Sequence, residues 1–543
     1  MRPSLISIAI LALSLATSAF AQSPIRSTAI RADVRTLASD AFEGRGPGTR
    51  GETRTLEFLQ SQFAAAGLKP GGPNGSWYQD VPLTRVTTTR RQLNVKAGKR
   101  TLDLAETRDW AAAVGQGGTV SITDAQVVFV GFGIRAPDKG WDDYAGIDVR
   151  GKVVLMLAND PDYDQPSGLF DGPLRSPLAR GKAGIAYRLG AAAVVQIHQQ
   201  AASRTLWATS VYYLAEPRYR RVSTPAPAGP ARLSVTMSEG ATRRLFAAAG
   251  LNFTNLEAAA KRPGFRGVEL SGIALSLAGE ARETPFLTRN ILAQIDGTTR
   301  AAETVVIGAH WDAYGRGVAD ARGDTIRNGA VDNAIGTATM LEVARAFAKA
   351  PPTQRTLLFI GYTSEEDGLL GAYHYAANPV RPLATTAAVF NLDPHLALTR
   401  TRSMELIGAG RTDLEDMFAE AVKAEGLKVE AEQLPDENWY SRSDHLAFAE
   451  AGVPALYFRA DRDLVEGGSA GGTAWVADYD LNRYHQRSDA FNPSWDLAAA
   501  AQEGTIVYRI ARQVADSGAW PAWRGDVSSD FAKRRLTTAA ERR

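Results

Sequence analysis

Short apolar runs alternate with amphipathic stretches through the second half of the chain. The apolar runs predict five strands, at residues 290–295, 304–309, 356–361, 387–392 and 453–458. Three stretches between them have a helical pattern, at residues 334–349, 412–425 and 443–451. Nearly continuous apolar strands that alternate with helices are typical of a sheet covered on both faces. We therefore expect an α/β fold with a mixed, mostly parallel sheet flanked by helices.

The first half of the chain has a different pattern. Residues 51–66 predict a helix, because Leu56, Leu59 and Phe63 recur with helical spacing and Gly67 follows them. After residue 120, short β-runs predict an α+β module of its own; they lie at residues 126–131, 152–157 and 191–197. The expected divisions are an N-terminal segment, an inserted domain, a C-terminal domain and a loose tail, at residues 22–119, 120–280, 281–520 and 521–543.

Composition narrows the classes of function. The 543 residues include 61 Lys and Arg against 59 Asp and Glu, which gives a net charge of +2. A charge this close to zero argues against a nucleic-acid-binding protein, which normally has a basic surface. Cysteine is absent from the sequence. That absence excludes disulfides, a thiol nucleophile and thiolate metal ligands.

The first residues have the pattern of an export signal. Arg2 precedes an apolar run at residues 5–16, which is shorter than the roughly 20 residues that cross a bilayer. The small-x-small sequence that ends at Ala21 then predicts cleavage before Gln22. We expect a signal peptide at residues 1–21, export to the periplasm or the medium, and no membrane contact after cleavage. An uncleaved anchor is the alternative that the short run disfavours.

Polar side chains follow directly after three of the predicted strands. His310 and Asp312 follow one strand, Glu365 and Glu366 follow the next, and Asp393 follows a third. In open α/β sheets, ligands bind at the edge where the carboxyl ends of the strands lie. Carboxylates gathered at one edge repel one another unless cations lie among them. The pattern therefore predicts a site for divalent metal ions.

Histidine together with oxygen ligands suits zinc, although manganese and cobalt also fit this set. Two divalent ions bring four positive charges, which three carboxylates and a shared hydroxide would balance. A carboxylate outside the ligand set could then take the proton of the water. The neighbours Glu365 and Glu366 offer this division, with one binding metal and the other acting as base.

Several motifs that carry the candidate residues follow one another along the chain. They are Gly308-Ala309-His310-Trp311-Asp312, Gly329-Ala330-Val331-Asp332-Asn333, Thr363-Ser364-Glu365-Glu366, Asn391-Leu392-Asp393, Arg442-Ser443-Asp444-His445 with Gly452-Val453-Pro454, and Tyr484-His485. In this order they resemble the motifs of the M28 family of zinc peptidases. Residues 40–49 and 132–144 resemble two further segments of the exported branch that carries an inserted protease-associated (PA) domain. The resemblance implies a catalytic domain at 281–520 and a PA domain at 120–280.

The resemblance also implies a role for each matching position. It makes Asp332 the carboxylate that bridges two zinc ions per chain. Glu366 and His485 would complete the ligands of one ion, and His310 and Asp393 those of the other.

Three further roles come from the same resemblance. Glu365 would be the general base, and Asp312 would orient His310. A cis peptide is expected at Asp332–Asn333. Tyr484 resembles the tyrosine that donates to the oxyanion in the carboxypeptidase branch.

One position departs from the family pattern. Pro394 stands where many members have Met, and proline biases the residue before it, here Asp393, towards extended geometry.

A second expectation concerns a helix start. Ser443 or Asp444 is expected to cap the helix that begins near His445.

The resemblance implies an exported di-zinc aminopeptidase that removes N-terminal residues from peptides with a free N-terminus. Three alternatives stay open. A carboxypeptidase of the same fold would need cations for the substrate carboxylate, for which Arg442 and Arg459 are candidates. An aminoacyl cyclase of the same fold needs only one zinc. An exported peptide-binding protein would carry a vestigial metal site, against which the intact ligand positions argue.

Overall fold

The computed structural model describes residues 24–165, 168–170, 177–222, 229–319, 322–393, 399–435 and 438–525. The predicted signal peptide, Pro394 and residues 526–543 of the predicted tail lie outside the described residues. None of the helices in the described ranges is both long and apolar enough to cross a membrane.

The helices of the described chain follow in order from the N-terminus. They are α1 (Ser27–Leu37), α2 (Arg50–Ala65), α3 (Pro177–Arg188), α4 (Gln200–Ser203), α5 (Trp207–Ala215), α6 (Glu239–Ala248), α7 (Phe253–Ala260), α8 (Gly336–Lys349), α9 (Leu370–Ala377), α10 (Leu414–Ala424), α11 (His445–Glu450), α12 (Gly468–Asn482) and α13 (Ala498–Asp516).

The strands are β1 (Lys69–Pro70), β2 (Tyr78–Ala97), β3 (Arg100–Leu102), β4 (Trp110–Val114), β5 (Gly118–Phe129), β6 (Arg135–Ala136), β7 (Trp141–Asp142), β8 (Val153–Leu157), β9 (Ala193–His198), β10 (Arg218–Arg221), β11 (Leu233–Ser238), β12 (Val268–Ile295), β13 (Arg300–His310), β14 (Gly315–Arg316), β15 (Ile326–Arg327), β16 (Arg355–Tyr362), β17 (Thr386–Asn391), β18 (Ser403–Leu406), β19 (Lys428–Ala431), β20 (Ala455–Leu456) and β21 (Phe458–Ala460).

A large mixed sheet organises these elements, which confirms the predicted α/β fold. Its strand order is β20-β17-β13-β16-β12-β5-β8-β9-β11-β4. Strand β13 pairs in parallel with β16 and β17, and β17 pairs in parallel with β20. Strand β12 joins β16 in antiparallel orientation and leads into a second parallel group, β5-β8-β9-β11.

Alternation along the central strands explains why they are apolar throughout. Val305 and Ile307 of β13 lie in a core with helices α1, α2, α8 and α13, whereas Val306 lies in a core on the other face, with α9 and α11. Successive side chains of a strand point to opposite faces, so a strand covered on both sides needs an unbroken apolar run. Helices therefore cover the central strands on both faces.

A separate core lies around the second group of strands. It contains Phe129 of β5, Leu155 of β8 and Ile197 of β9, against Leu245 and Phe246 of α6. Residues 120–280 supply most of this core, with contributions from the segment at 86–114. The division of the chain into an inserted domain and its neighbours stays a prediction.

Most of two long strands was not predicted from the sequence. Strands β2 and β12 span 20 and 28 residues and pair in antiparallel orientation from Tyr78 opposite Ile291 to Ala97 opposite Ile273. Their buried positions alternate irregularly with exposed ones, so the apolar side chains form no continuous run. The predicted strand at 290–295 is only the final part of β12.

Candidate metal centre

The candidate site lies where the carboxyl ends of β13, β16 and β17 meet. His310 is the last residue of β13, Glu365 and Glu366 follow β16, and Asp393 follows β17. Because these three strands are parallel neighbours, their ends lie at one edge of the sheet. Asp332 reaches the same place from the turn before α8, and His485 from the segment after α12. The structure thus brings together every metal ligand that the resemblance implies.

Asp332 lies between the two histidines. Its Oδ1 is 3.3 Å from Nε2 of His310, and its Oδ2 is 3.1 Å from Nε2 of His485. The two oxygens of one carboxylate therefore face two different imidazoles. This is the arrangement that a carboxylate shared between two cations needs.

The remaining carboxylates divide between the two histidines. Nε2 of His310 is 3.6 Å from Oδ1 of Asp393 and 3.9 Å from Oε2 of Glu365. Nε2 of His485 is 3.4 Å from Oε2 of Glu366. Two groups of donor atoms result, and both include Asp332.

The chemistry of this donor set fits metal cations. His310 is fully buried and Glu365 is only 9% exposed. Among the residues that the structure describes, the buried atoms Nε2 of His310 and Oε1 of Glu366 have no hydrogen-bond partner. Burial raises the pKa of Glu365 and Glu366 well above the usual value, and the neighbouring carboxylates raise both further. Divalent ions would supply both the missing charge and the missing partners.

The backbone around Asp332 is held from a distant segment. Asp489 accepts hydrogen bonds from the backbone N–H of Val331 through Oδ1, at 2.9 Å, and of Asp332 through Oδ2, at 3.1 Å. Asn333 donates from its side chain to the carbonyl of Leu392 at 2.9 Å. The expected cis peptide at Asp332–Asn333 is present. Asp489 was not predicted, and its only signal in the sequence is its position four residues after His485.

Arg45 joins two of the segments that carry ligands. Its buried guanidinium donates to the carbonyls of Trp311, Asn328 and Gly329 at 2.8, 2.6 and 2.7 Å. Burial lowers the pKa of Arg45 to about 10, so it stays charged at neutral pH. Its function was not predicted, although it lies in the segment 40–49 that the resemblance singles out.

Asp312 contacts both the first histidine and the predicted base. Nδ1 of His310 lies 3.2 Å from the backbone oxygen of Asp312 and 3.8 Å from its carboxylate. The carboxylate accepts a hydrogen bond from the backbone N–H of Glu365 at 3.2 Å. Burial raises the pKa of Asp312 to about 6. The side chain thus holds the Glu365 segment, and the backbone oxygen is the nearer contact of His310.

Asp444 occupies the N-cap position of α11, but the expectation of a capping hydrogen bond from Ser443 or Asp444 is wrong. Within the described chain, no side-chain hydrogen bond caps this helix. Ser443 instead donates to Oδ2 of Asp393 at 2.5 Å and accepts from the side chain of Asn391 at 2.6 Å. The hydroxyl aims a ligand, because the fold brings the strand end of Asp393 next to the helix start.

Tyr484 lies on the wall of a cavity of about 650 Å³ beside the site. Its ring is 3.6 Å from that of His485, centroid to centroid, and its hydroxyl accepts a hydrogen bond from Arg442 at 3.1 Å. Trp439 lines the same cavity, and the guanidinium of Arg442 lies 4.1 Å from its ring. The cavity offers apolar, aromatic and cationic contacts to a ligand, and Tyr484 is the lining residue that connects it to His485.

Residues 290–508 match the model of Peptidase family M28. A "probable zinc metalloprotease" of Pyrenophora tritici-repentis is 36% identical over 109 residues, which are 20% of this chain and 24% of that protein. The "probable lipoprotein aminopeptidase LpqL" of Mycobacterium tuberculosis is 26% identical over 247 residues, 43% of this chain and 47% of that protein. The chain therefore spans between about a quarter and a half of the length of these relatives.

A solved structure extends the likeness over most of the chain. The aminopeptidase from Aneurinibacillus sp. strain AM-1 superposes with a TM-score of 0.54 and 18% identity, covering 92% of this chain and 96% of that one. At this identity the likeness concerns the fold.

Proposed function

We propose that this chain, whose residues 290–508 belong to peptidase family M28, is a di-zinc aminopeptidase that removes residues from peptides with a free N-terminus. The observation that carries the proposal is the carboxylate of Asp332, whose two oxygens face two imidazoles 3.3 and 3.1 Å away. His310 and Asp393 would hold one ion with Asp332, and His485 and Glu366 the other. Bound there, zinc would polarise a carbonyl and lower the pKa of a water molecule.

Glu365 is the residue that we assign to proton transfer. Its carboxylate lies among the ligands, 3.9 Å from Nε2 of His310, and its backbone N–H is held by Asp312. The carboxylate oxygen accepts a proton from the attacking water and returns it to the leaving nitrogen as the peptide bond breaks. Because the same proton moves in both steps, the residue ends each turnover in its starting state.

The cavity beside Tyr484 is the proposed place of the substrate. The hydroxyl of Tyr484, oriented by Arg442, would donate to the oxygen of the scissile carbonyl as negative charge develops on it. Trp439 would contact the substrate side chain. Export through residues 1–21 and an inserted PA domain at residues 120–280 belong to the same proposal.

Carboxypeptidase activity is the second candidate, and its support is the position of Arg442 at the cavity. The other cation considered for a substrate carboxylate, Arg459, is buried and paired with Glu405 at 2.7 Å. That pairing neutralises one of the two charges and favours the aminopeptidase.

The test is hydrolysis of a panel of amino-acid anilides with free or acetylated N-termini, together with N-terminally blocked peptides that have a free C-terminus. The protein is first stripped with a chelator and then assayed with and without added zinc. Cleavage of the free-amine substrates alone, restored by zinc, is the expected result. Cleavage of C-terminal residues from blocked peptides would support the carboxypeptidase, and absence of both zinc binding and cleavage would contradict either enzyme.

A further inference from the structure

A tyrosine from the range 120–280 lies at the candidate metal site. Tyr213 lies on α5 (Trp207–Ala215), 272 residues away from His485 in sequence. Its hydroxyl forms a hydrogen bond with Nδ1 of His485. Nε2 of the same ring faces Asp332 at 3.1 Å and Glu366 at 3.4 Å. One ring nitrogen therefore points to the proposed metal position and the other to Tyr213.

The direction of this hydrogen bond follows from the chemistry of imidazole. A neutral ring that offers its Nε2 lone pair to a cation carries its proton on Nδ1. Nδ1–H of His485 then donates to the oxygen of Tyr213, which sets the tautomer and the rotation of the ring. The hydroxyl hydrogen of Tyr213 is left for Tyr314, whose hydroxyl oxygen is 3.0 Å away.

Neighbouring tyrosines hold Tyr213 in this position. The hydroxyl of Tyr212 donates to the backbone oxygen of Tyr314 at 2.6 Å, which ties α5 to the segment after β13. The ring of Tyr314 packs edge-on against His485, with centroids 4.7 Å apart. The guanidinium of Arg327 lies 3.7 Å from the ring of Tyr212. The contacts of Tyr212 thus anchor α5, which carries Tyr213, beside the metal site.

We propose that Tyr213 is a positioning residue, which orients His485 to bind the ion that Asp332 and Glu366 would also hold. Through it, the region of the chain at residues 120–280 takes part in assembling the metal site. This inference rests on the proposed metal site and adds that one of its two positions depends on α5.

The test compares Tyr213→Phe with Tyr219→Phe. Tyr219 lines the same 250 Å³ cavity as Tyr213, and its ring packs against Phe286 with centroids 4.6 Å apart. Zinc affinity is measured by competition with a chromophoric chelator, which resolves a tight and a weak ion. We expect Tyr213→Phe to lower the affinity for one zinc ion by about 10–100-fold and to leave the affinity for the other unchanged. Hydrogen-bond partners of metal-binding histidines have effects of this size. Tyr219→Phe should match the wild type.

A second measurement observes the hydrogen bond directly. The chain has six histidines, so histidine-labelled zinc protein gives few imidazole signals in NMR spectra. A hydrogen-bonded Nδ1 proton assigned to His485 should be present in the wild type and in Tyr219→Phe, and should shift or disappear in Tyr213→Phe.

Three outcomes separate the hypotheses. If the wild type binds two zinc ions and Tyr213→Phe has the same affinities and spectrum, the positioning role is wrong and the proposed function stands. Equal weakening of both ions with a lowered melting temperature would show a general structural effect and would also overturn the positioning role. Failure of the wild type to bind zinc would overturn the proposed function itself.

Discussion

The parallel strands of the large sheet end at two edges that hold different sets of buried charges. At the first edge, behind β13, β16 and β17, buried carboxylates lie beside two imidazoles (Asp332, Glu365, Glu366 and Asp393 beside His310 and His485). At the second edge, behind β8 and β9, the chain provides its own cation. Buried Lys182 donates hydrogen bonds to the carbonyls of Leu157 and Asn159 there. Burial lowers the pKa of Lys182, and the negative charges of Asp160 and Asp143 partly oppose this effect.

The carboxyl edge of a parallel sheet is a position where a ligand can bind. The buried charges at that edge decide whether the ligand must be a cation. At the second edge, Lys182 of the chain itself offsets part of the charge of Asp160 and Asp143. The first edge has an excess of carboxylates, which an added cation would balance.

Removing the shared carboxylate should have the largest effect. Asp332→Ala should lose bound metal and lower turnover by at least about 1,000-fold, which corresponds to about 4 kcal/mol of transition-state stabilisation. Elemental analysis and anilide hydrolysis measure the two losses. His198→Ala, at the second edge, is the control, because Nε2 of His198 contacts the carbonyl of Thr205. Full metal content in Asp332→Ala would contradict a bridging ligand.

Removing the proposed base should separate chemistry from metal binding. Glu365→Gln keeps the size of the side chain but cannot accept the proton, so turnover should fall by about 100–10,000-fold while zinc content stays unchanged. Elemental analysis of the same preparation provides the control. Activity close to that of the wild type would show that another group takes the proton.

Removing the metal should destabilise the first edge alone. Zinc at about 100 times its dissociation constant should add about 2.7 kcal/mol to the free energy of unfolding. Hydrogen exchange with and without a chelator measures where this stability resides. We expect faster exchange near Asp332 and α8 and unchanged exchange in β8 and β9. Equal loosening of both edges would mean that the metal stabilises the whole sheet.

The smallest effect concerns the second edge and appears as a pH slope. Burial lowers the pKa of Lys182 to about 7 from its usual 10.5. Between these values the unfolded chain binds the proton and the folded chain does not, so Lys182 makes the wild type more stable as pH rises, by up to about 1.4 kcal/mol per pH unit. Lys182→Met should lose this slope in denaturant titrations between pH 7 and 10. An identical slope in both proteins would show that Lys182 is not the group responsible.

The sheet was predictable wherever burial on both faces forced a continuous apolar run. Strands β13, β16 and β17 were predicted to within a few residues of their observed bounds for this reason. Strands β2 and β12 carry partly exposed faces, so their pattern was too irregular to recognise. Helix α8 begins at Gly336, two residues later than predicted, because residues 330–335 form the wide turn that presents Asp332.

The residues that support the ligands were harder to predict than the ligands. Ser443 has the residue type and position of a helix cap, yet it binds Asp393 because the fold places that carboxylate next to it. Arg45, Asp489 and Tyr213 act on ligands or on their backbone from distant segments of the chain. Their contacts have no local pattern, since pairing over such separations depends on packing.

Local rules of sequence account for the alternation of strands and helices, and for the edge at which His310, Glu365, Glu366 and Asp393 stand. Periodicity decides which face is buried, and the end of a strand decides where the next side chain lies. The folded chain adds that Asp332 faces two histidines at once, and that α5 brings Tyr213 to His485. These contacts depend on how separate segments pack, which no short stretch of sequence encodes.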